Sequence, residues 1–192
     1  MDVPPLVAQA QQRAADNGFA YSCAPLTGEL LAALAAAVPP GARILELGTG
    51  MGVGLAWVLH GLRGREDVVL VTVEHDPKTA ALAATTDWPA WVQPHTGDAV
   101  ALLPGLGSFD LVFADAEGGK WSGLERTLAA LREGGVLLLD DMDPARYTLA
   151  EHHAAIAAVR ATLRADPGLV LVDLPVGTGH IIATRRHAAA AA

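Results

Sequence analysis

The chain has 192 residues, of which 52% are hydrophobic and 18% are charged. This balance predicts one compact domain and excludes a disordered chain, because there is enough apolar surface to form a core. The formal net charge of −8 disfavours binding to nucleic acid or to anionic lipid. No run reaches the roughly 18 consecutive apolar residues of a membrane helix, and the single cysteine, Cys23, cannot form an internal disulfide. These features predict a cytoplasmic protein.

The first 40 residues predict a helical cover for the rest of the chain. Residues 6–17 are rich in Ala and Gln and are followed by Gly18, which is typical of a helix with a glycine C-cap. A second helix is predicted over residues 27–38, with Thr27 as its N-cap, before Pro39-Pro40 ends it.

From residue 41 onward the pattern predicts an α/β fold, a doubly wound Rossmann-like sheet covered by helices. Strands are expected over residues 43–47, 68–73, 91–95, 109–114, 135–139, 169–174 and 180–184. The fourth and fifth are almost continuously apolar, which places them at the centre of the sheet. The last two are too close together for a helical crossover, so they should form an antiparallel hairpin. We expect this domain to span residues 41–186, and the Ala-rich residues 187–192 to be a disordered tail.

The most informative segment is Glu46-Leu47-Gly48-Thr49-Gly50-Met51-Gly52-Val53-Gly54, where the first strand turns into a helix. Glycines at alternate positions allow a ligand to lie against the backbone at the carboxyl edge of the sheet. The spacing departs from the dinucleotide pattern G-x-G-x-x-G, because Val53 occupies the place of the last glycine. A carboxylate at Glu46 would repel a pyrophosphate and favours a cationic ligand such as a sulfonium or an ammonium group.

Acidic residues also follow the second and third strands. Glu74 ends the second strand about 25 residues after Gly50, at the position where an acid accepts hydrogen bonds from ribose hydroxyls. Asp98 follows Gly97 after the third strand, where it either accepts a hydrogen bond from an adenine amine or caps the next helix. The ligand is therefore expected to contain a ribose.

Taken in order, Glu46-x-Gly48-x-Gly50-x-Gly52, Glu74, Gly97-Asp98 and the terminal hairpin resemble the class I S-adenosylmethionine-dependent methyltransferases over residues 42–185. The resemblance implies the strand order 3-2-1-4-5-7-6, with strand 7 antiparallel. It also implies that Glu46 and residues 48–52 hold the methionine portion of the cofactor, that Glu74 holds the ribose and that Asp98 holds the adenine. The positions expected to contact the cofactor are Glu46, Gly48, Thr49, Gly50, Gly52, Glu74, His75, Gly97, Asp98, Ala99 and Asp115.

Carboxylates follow the two central strands as well, at Asp115 and at Asp140-Asp141. Three oxygen ligands at one edge of the sheet suit Mg²⁺, Ca²⁺ or Mn²⁺. The arrangement resembles the cation-dependent small-molecule O-methyltransferases related to catechol O-methyltransferase, which implies that Asp115, Asp140 and Asp141 are metal ligands. The alternative is that the two adjacent aspartates point to opposite faces of a strand and only one of them faces the site.

The lysine that assists deprotonation in that family has no counterpart at its usual position, which is Gly118 here. The nearest lysine is Lys120, beside Trp121, and this arrangement resembles a bacterial subgroup of the same methyltransferases. Lys120 and Asp115 are therefore the candidate catalytic residues, with an ordinary surface position as the alternative for the lysine. The residues expected to form pocket walls are Tyr21, Ser22, Cys23, Trp121, Met142 and Tyr147.

The expected function is transfer of a methyl group from S-adenosylmethionine to a small-molecule acceptor, with a hydroxyl oxygen as the preferred target. One alternative is a methyltransferase acting on RNA or protein, and the net charge disfavours the RNA form. Another is a non-catalytic module that binds the cofactor and regulates a partner; it would need Glu46 and Glu74 but neither Lys120 nor the aspartates. The expected partner is a small molecule, and neither nucleic acid nor a membrane is expected. A homodimer is compatible with the sequence.

Overall fold

The computed structural model describes residues 2–188, in which seven strands form one mixed sheet of order β3-β2-β1-β4-β5-β7-β6. The strands are β1 Arg43–Leu47, β2 Val69–Glu74, β3 Val92–Thr96, β4 Phe109–Ala114, β5 Leu131–Leu139, β6 Leu169–Leu174 and β7 His180–Arg185. Strands β1 to β5 are parallel, whereas β7 is antiparallel to both β5 and β6. The predicted fold class, strand order and terminal hairpin are confirmed.

Helices cover both faces of this sheet. They are α1 Pro5–Asp16, α2 Pro25–Ala36, α3 Val53–Gly61, α4 Pro77–Ala83, α5 Ala99–Leu106, α6 Leu124–Ala129 and α7 Ala150–Ala165, with a short 3-10 turn over Pro144–Arg146. Helices α1, α2 and α3 share one apolar cluster with the sheet, and α5, α6 and α7 share the other. Within residues 2–188, none of the helices combines the length and the apolar character needed to span a membrane.

The two apolar clusters follow from alternation along the central strands. In β1, Ile44 belongs to the cluster of α1 to α3, whereas its neighbour Leu45 belongs to the cluster of α5 to α7, and both are fully buried. Leu70 and Val71 of β2 divide in the same way. Successive side chains of a strand point to opposite faces, so burial on both faces requires the nearly continuous apolar runs of these strands. The buried polar residues of these two strands, Glu46 and Thr72, lie toward their carboxyl ends and are hydrogen-bonded to each other.

Two element boundaries differ from the predictions in an informative way. Helix α2 begins at Pro25, where a proline needs no hydrogen-bonded N–H. Thr27 is therefore not the N-cap; it is fully buried, and its hydroxyl lies 2.8 Å from Nε2 of His180. Strand β5 begins at Leu131, ahead of the prediction, with a register shift against β4 that accommodates the exposed Gly134. Of the predicted tail, residues 189–192 lie outside the described residues.

The contact between α2 and α3 depends on a glycine. A Cβ added to Gly61 would lie 2.1 Å from the carbonyl oxygen of Ala32, which is backbone and cannot rotate away. We expect Gly61→Ala to lower the free energy of unfolding by about 1–3 kcal/mol, because the two helices must separate. Urea denaturation measures this loss.

The matched control is Gly105→Ala in α5, where an added Cβ meets nothing within 4 Å. This variant should leave the free energy of unfolding unchanged or raise it by about 0.4–1 kcal/mol, because alanine reduces the entropy of the unfolded chain. Equal losses in both variants would contradict the close approach of α2 and α3.

Candidate functional site

The carboxyl ends of β1 to β5 meet at one edge of the sheet, and the residues selected from the sequence lie there. Glu46 and the glycine loop end β1, Glu74 and His75 end β2, Gly97 to Ala99 follow β3, Asp115 and Lys120 follow β4, and Asp140 and Asp141 follow β5. This edge is the usual ligand crevice of open α/β sheets.

The glycine loop adopts a backbone conformation that side chains disfavour. Gly48, Gly50 and Gly52 have φ values of 101°, 53° and 82°, in the left-handed region that glycine enters without a steric penalty. A Cβ on Gly48 would also lie 3.0 Å from the carbonyl oxygen of Asp115. The loop is tied to β2 because the N–H of Gly48 donates to the carbonyl oxygen of Val73 at 2.9 Å. Because the loop glycines have no side chains, a ligand can approach this backbone closely.

Glu74 holds the glycine loop through its carboxylate. Its Oε2 accepts a hydrogen bond from the N–H of Gly50 at 2.8 Å, and its Oε1 accepts one from the N–H of Asp76 at 2.9 Å. Each carboxylate oxygen has a second lone pair, so the group can still accept hydrogen bonds from a ligand. The neighbouring His75 is exposed.

Glu46 is an acid inside the protein, with 1% of its surface exposed. The hydroxyl of Thr72 donates to its Oε2 at 2.6 Å, and Thr49 donates in turn to Thr72 at 2.6 Å. Its Oε1 has no hydrogen-bond partner among residues 2–188. Burial raises the pKa of Glu46 to about 8, against the opposing effects of the hydrogen bond from the Thr72 hydroxyl and of the backbone N–H of Leu55. A cationic group beside Oε1 would favour the ionised form.

Asp98 caps helix α5. Its Oδ1 accepts a hydrogen bond from the N–H of Val100 at 2.9 Å, which is the predicted capping role. The carboxylate is exposed and has a second oxygen available for a ligand. Gly97, with φ of 150°, precedes the cap, and Ala99 is buried in the first turn of the helix.

The ammonium of Lys120 lies among Asp115, Asp140 and Asp141. Its Nζ is 3.8 Å from Oδ1 of Asp115 and 3.4 Å from Oδ2 of Asp141, and it donates to the backbone carbonyl oxygen of Asp140 at 3.1 Å. Only 2% of Lys120 is exposed, so the alternative of an ordinary surface lysine is wrong. Burial raises the pKa of Asp115 well above its usual range, and the Lys120 ammonium opposes this increase.

The two adjacent aspartates turn to different partners. Oδ1 of Asp140 accepts hydrogen bonds from the hydroxyl of Thr178 and from the N–H of Asp141, and lies 3.3 Å from Nε2 of His180. Asp141 has a φ of 60°, and its carboxylate lies against Lys120 instead. In the described part of the chain, no group of three or more His, Cys, Asp or Glu is arranged to hold a metal ion. The predicted ligand set of Asp115, Asp140 and Asp141 is therefore not assembled as such.

A cavity of about 670 Å³ opens beside this cluster. The lining residues are Ala20, Tyr21, Ser22, Cys23, Ala24, Asp115, Glu117, Lys120, Trp121, Asp140, Asp141, Arg146, Tyr147, His152 and Thr178. One wall is aromatic: the ring of Trp121 lies 5.4 Å from that of Tyr147 and 5.0 Å from that of His152, centre to centre. A polar floor beside an aromatic wall suits a small planar ligand with a polar substituent.

Most of the predicted pocket walls line this cavity, with one exception. Met142 is fully buried in the core beside α7 and does not reach the cavity. Arg146, His152 and Thr178 also line the cavity without having been predicted, and they come from the segment after β5 and from the β6–β7 turn. No motif marks these residues, because only the folded chain brings them to the site. Burial raises the pKa of the Cys23 thiol, which disfavours the thiolate form that acts as a nucleophile.

Comparisons with known proteins identify the family. A family profile described as a methyltransferase domain matches residues 45–142. A protein of Mycobacterium sp. (strain JLS) that carries an O-methyltransferase name is 32% identical over 193 residues, which cover 94% of this chain and 86% of that protein. The chain belongs to the S-adenosylmethionine-dependent O-methyltransferases.

Solved structures agree with this assignment. An O-methyltransferase from Bacillus cereus in complex with SAH superposes with a TM-score of 0.82 at 25% identity, over 97% of this chain and 93% of that one. A Klebsiella pneumoniae structure described as an O-methyltransferase gives a TM-score of 0.84 at 25% identity, over 97% and 92% of the two chains. The predicted methyltransferase class, small-molecule methyl transfer and S-adenosylmethionine as cofactor are confirmed.

The residues of this O-methyltransferase fit a cofactor that carries a positive charge. The unpartnered, buried Oε1 of Glu46 is a group that a cation would stabilise, and Glu46 lines the crevice that also contains Gly48, Gly50 and Asp115.

The position where a lysine is expected from the resemblance is occupied by Gly118. A Cβ there would lie 3.6–3.7 Å from atoms of Ala99, Val100 and Asp98. A side chain at position 118 would therefore begin toward α5, and Lys120 supplies the ammonium beside the aspartates.

We expect Glu46→Gln to stabilise the ligand-free enzyme relative to wild type, by an amount that grows as the pH rises. The unfolded Glu46 ionises near 4.5, whereas the buried carboxyl keeps its proton up to about 8. Between these values the folded state binds one more proton than the unfolded state. Wild-type stability therefore falls with rising pH by up to ~1.4 kcal/mol per pH unit, until the folded group ionises. Glutamine does not titrate.

Urea denaturation at several pH values between these two limits measures the difference. The matched control is Glu29→Gln, because Glu29 is exposed on α2. A stability difference between wild type and Glu46→Gln that did not change with pH would contradict a raised pKa at Glu46.

Proposed function

We propose that this enzyme methylates a hydroxyl oxygen of a small planar acceptor bound in the 670 Å³ cavity. The observation that carries the proposal is the buried Lys120 ammonium, paired with Asp115 and Asp141 beside the aromatic wall of Trp121, Tyr147 and His152. The aromatic wall provides a surface for a planar ring. The charged floor provides donors and acceptors for its hydroxyl.

The proposed cofactor contacts follow the strand ends. Glu46 and residues 48–52 would hold the methionine portion, Glu74 the ribose, and Asp98, with its neighbours Gly97 and Ala99, the adenine; Thr49, His75 and Asp115 complete the set. The cofactor supplies a methyl group on a positively charged sulfur. The unpartnered Glu46 oxygen and the free lone pairs of Glu74 support these assignments.

In this proposal Lys120 and Asp115 are the catalytic residues. The ammonium of Lys120 attracts the acceptor oxygen and stabilises the negative charge that develops as its proton leaves. Asp115, whose carboxylate lies 3.8 Å from the ammonium, is the proposed acceptor of that proton. Both residues lie in the segment that connects β4 to α6, so this one loop sets the geometry between them.

We also propose that residues 1–40 cover the cofactor and exclude water from the transfer. Arg13 of α1 donates two hydrogen bonds, at 3.1 and 2.8 Å, to the carbonyl oxygen of Met51 in the glycine loop. The ring of Phe19 lies 3.1 Å from the position of a Cβ on Gly50, and Tyr21 and Cys23 line the cavity. These contacts join the N-terminal segment to the loop that would hold the methionine portion.

The ribose assignment predicts a loss of cofactor affinity in Glu74→Ala. Without the carboxylate, the ribose hydroxyls lose their acceptor, which costs roughly 1–3 kcal/mol, or about one to two decades in affinity. Isothermal titration with S-adenosylmethionine measures the change, with the exposed Glu29→Ala as control. Unchanged affinity in Glu74→Ala would remove this residue from the cofactor site.

The acceptor assignment is tested by incubating the enzyme with methyl-labelled S-adenosylmethionine and a panel of phenols, aliphatic alcohols and amines. We expect methyl ethers of planar phenols, identified by mass spectrometry. Trp121→Ala should raise KM for these phenols by roughly two- to tenfold, the value of one aromatic contact. Methylation of amines alone, or a Trp121→Ala variant with unchanged KM, would contradict the proposed acceptor site.

A further inference from the structure

We propose that Lys120 is the built-in cation of the acceptor site and takes the place that a divalent metal ion would otherwise occupy among Asp115, Asp140 and Asp141. The inference rests on the proposed function and deepens it, because it assigns the charge that holds the acceptor oxygen. It follows from the contacts that the oxygen atoms of these three aspartates already make.

The oxygen atoms around Lys120 match the needs of an ammonium. Nζ has three N–H donors, and its neighbours are the Asp140 carbonyl oxygen at 3.1 Å, the Asp141 carboxylate at 3.4 Å and the Asp115 carboxylate at 3.8 Å. The ring of Trp121 lies 5.1 Å from Nζ, where it also favours a cation. A lysine that is 2% exposed requires such compensation.

The turn that carries Lys120 is fixed before any ligand binds. The N–H of Gly119 donates to the carbonyl oxygen of Ser122 at 2.7 Å, and the buried hydroxyl of Thr127 donates to the carbonyl oxygen of Gly119 at 2.7 Å. Gly119 has a φ of 89°, and a Cβ there would lie 2.5 Å from the side chain of Leu47. The backbone from which the Lys120 side chain extends is therefore fixed by these contacts.

The same atoms do not suit a divalent ion. Such an ion needs oxygen ligands at about 2.0–2.6 Å, and Lys120 already lies against two of the three predicted ligands. The third, Asp140, offers its backbone carbonyl to the lysine, while Oδ1 of its carboxylate is engaged by Thr178 and by the N–H of Asp141. A divalent ion would have to displace the ammonium and reorient Asp140.

The direct test is the binding of Mn²⁺ alone, followed by electron paramagnetic resonance. Wild type should show no bound Mn²⁺ at about 1 mM ion. In Lys120→Ala, the vacated carboxylates should bind about one Mn²⁺ per chain with a Kd of roughly 10⁻⁴ M, typical of a simple oxygen site. Lys78→Ala is the matched control, because Lys78 is exposed on α4. Adding Asp141→Ala to Lys120→Ala should abolish the new binding.

Activity gives a second, separable result. Once an acceptor is found, wild-type turnover should be unchanged by excess EDTA, whereas Lys120→Ala should lose roughly 10²–10³-fold in kcat, the value of one preorganised electrostatic group. Stoichiometric Mn²⁺ binding by wild type, or loss of wild-type turnover in EDTA, would overturn the inference even if a lysine variant failed to fold. If no hydroxyl acceptor is methylated but the Mn²⁺ results hold, the proposed acceptor is wrong and the built-in cation remains.

Discussion

The concentration of negative charge at one edge of the sheet is the constraint that the rest of the site depends on. Parallel strands end on the same side, so their terminal acids are brought together whatever their separation in the sequence. The protein compensates them in three ways: Glu74 accepts backbone N–H groups, Glu46 has a raised pKa, and Asp115 and Asp141 lie beside the Lys120 ammonium. These three acidic sites therefore differ in what they can still bind: Glu74 can accept further hydrogen bonds, and Glu46 can pair with a cation.

The buried carboxyl of Glu46 has no cation beside it within the part of the ligand-free protein that the structure describes, so its protonation connects the stability of the fold with the binding of a cationic ligand. A carboxyl that is protonated because of burial ionises when a cation lies beside it. In the proposed assignment, the sulfonium or ammonium group of the cofactor would supply that cation beside Oε1 of Glu46, which has no hydrogen-bond partner among residues 2–188. Cofactor binding would then be coupled to release of the Glu46 proton, and would offset the destabilisation that the buried acid causes in the ligand-free protein.

Sequence reasoning predicted the sheet well and the side-chain partners poorly. Strand bounds agree within about one residue except in β5, because buried parallel strands require apolar runs that are visible in the sequence. Thr27 was assigned to a local cap, but its hydroxyl is used by His180, a residue 153 positions away. The burial of Lys120 was equally invisible, since its partners Asp140 and Asp141 lie 20 and 21 residues further on. Local patterns carry no information on such pairings.

The antiparallel hairpin explains why the adjacent aspartates separate. The N–H of Met142 donates to the carbonyl oxygen of Gly179 at 2.9 Å, and the N–H of Asp143 donates to that of Thr178 at 3.0 Å. These bonds hold the β6–β7 turn against the end of β5, so the Thr178 hydroxyl reaches the carboxylate of Asp140. With Asp140 engaged by the hairpin, the two remaining carboxylates, Asp115 and Asp141, are the ones that lie beside the Lys120 ammonium. A feature of the sheet topology thus decides which acids are left to face the acceptor, and Lys120 lies beside both of them.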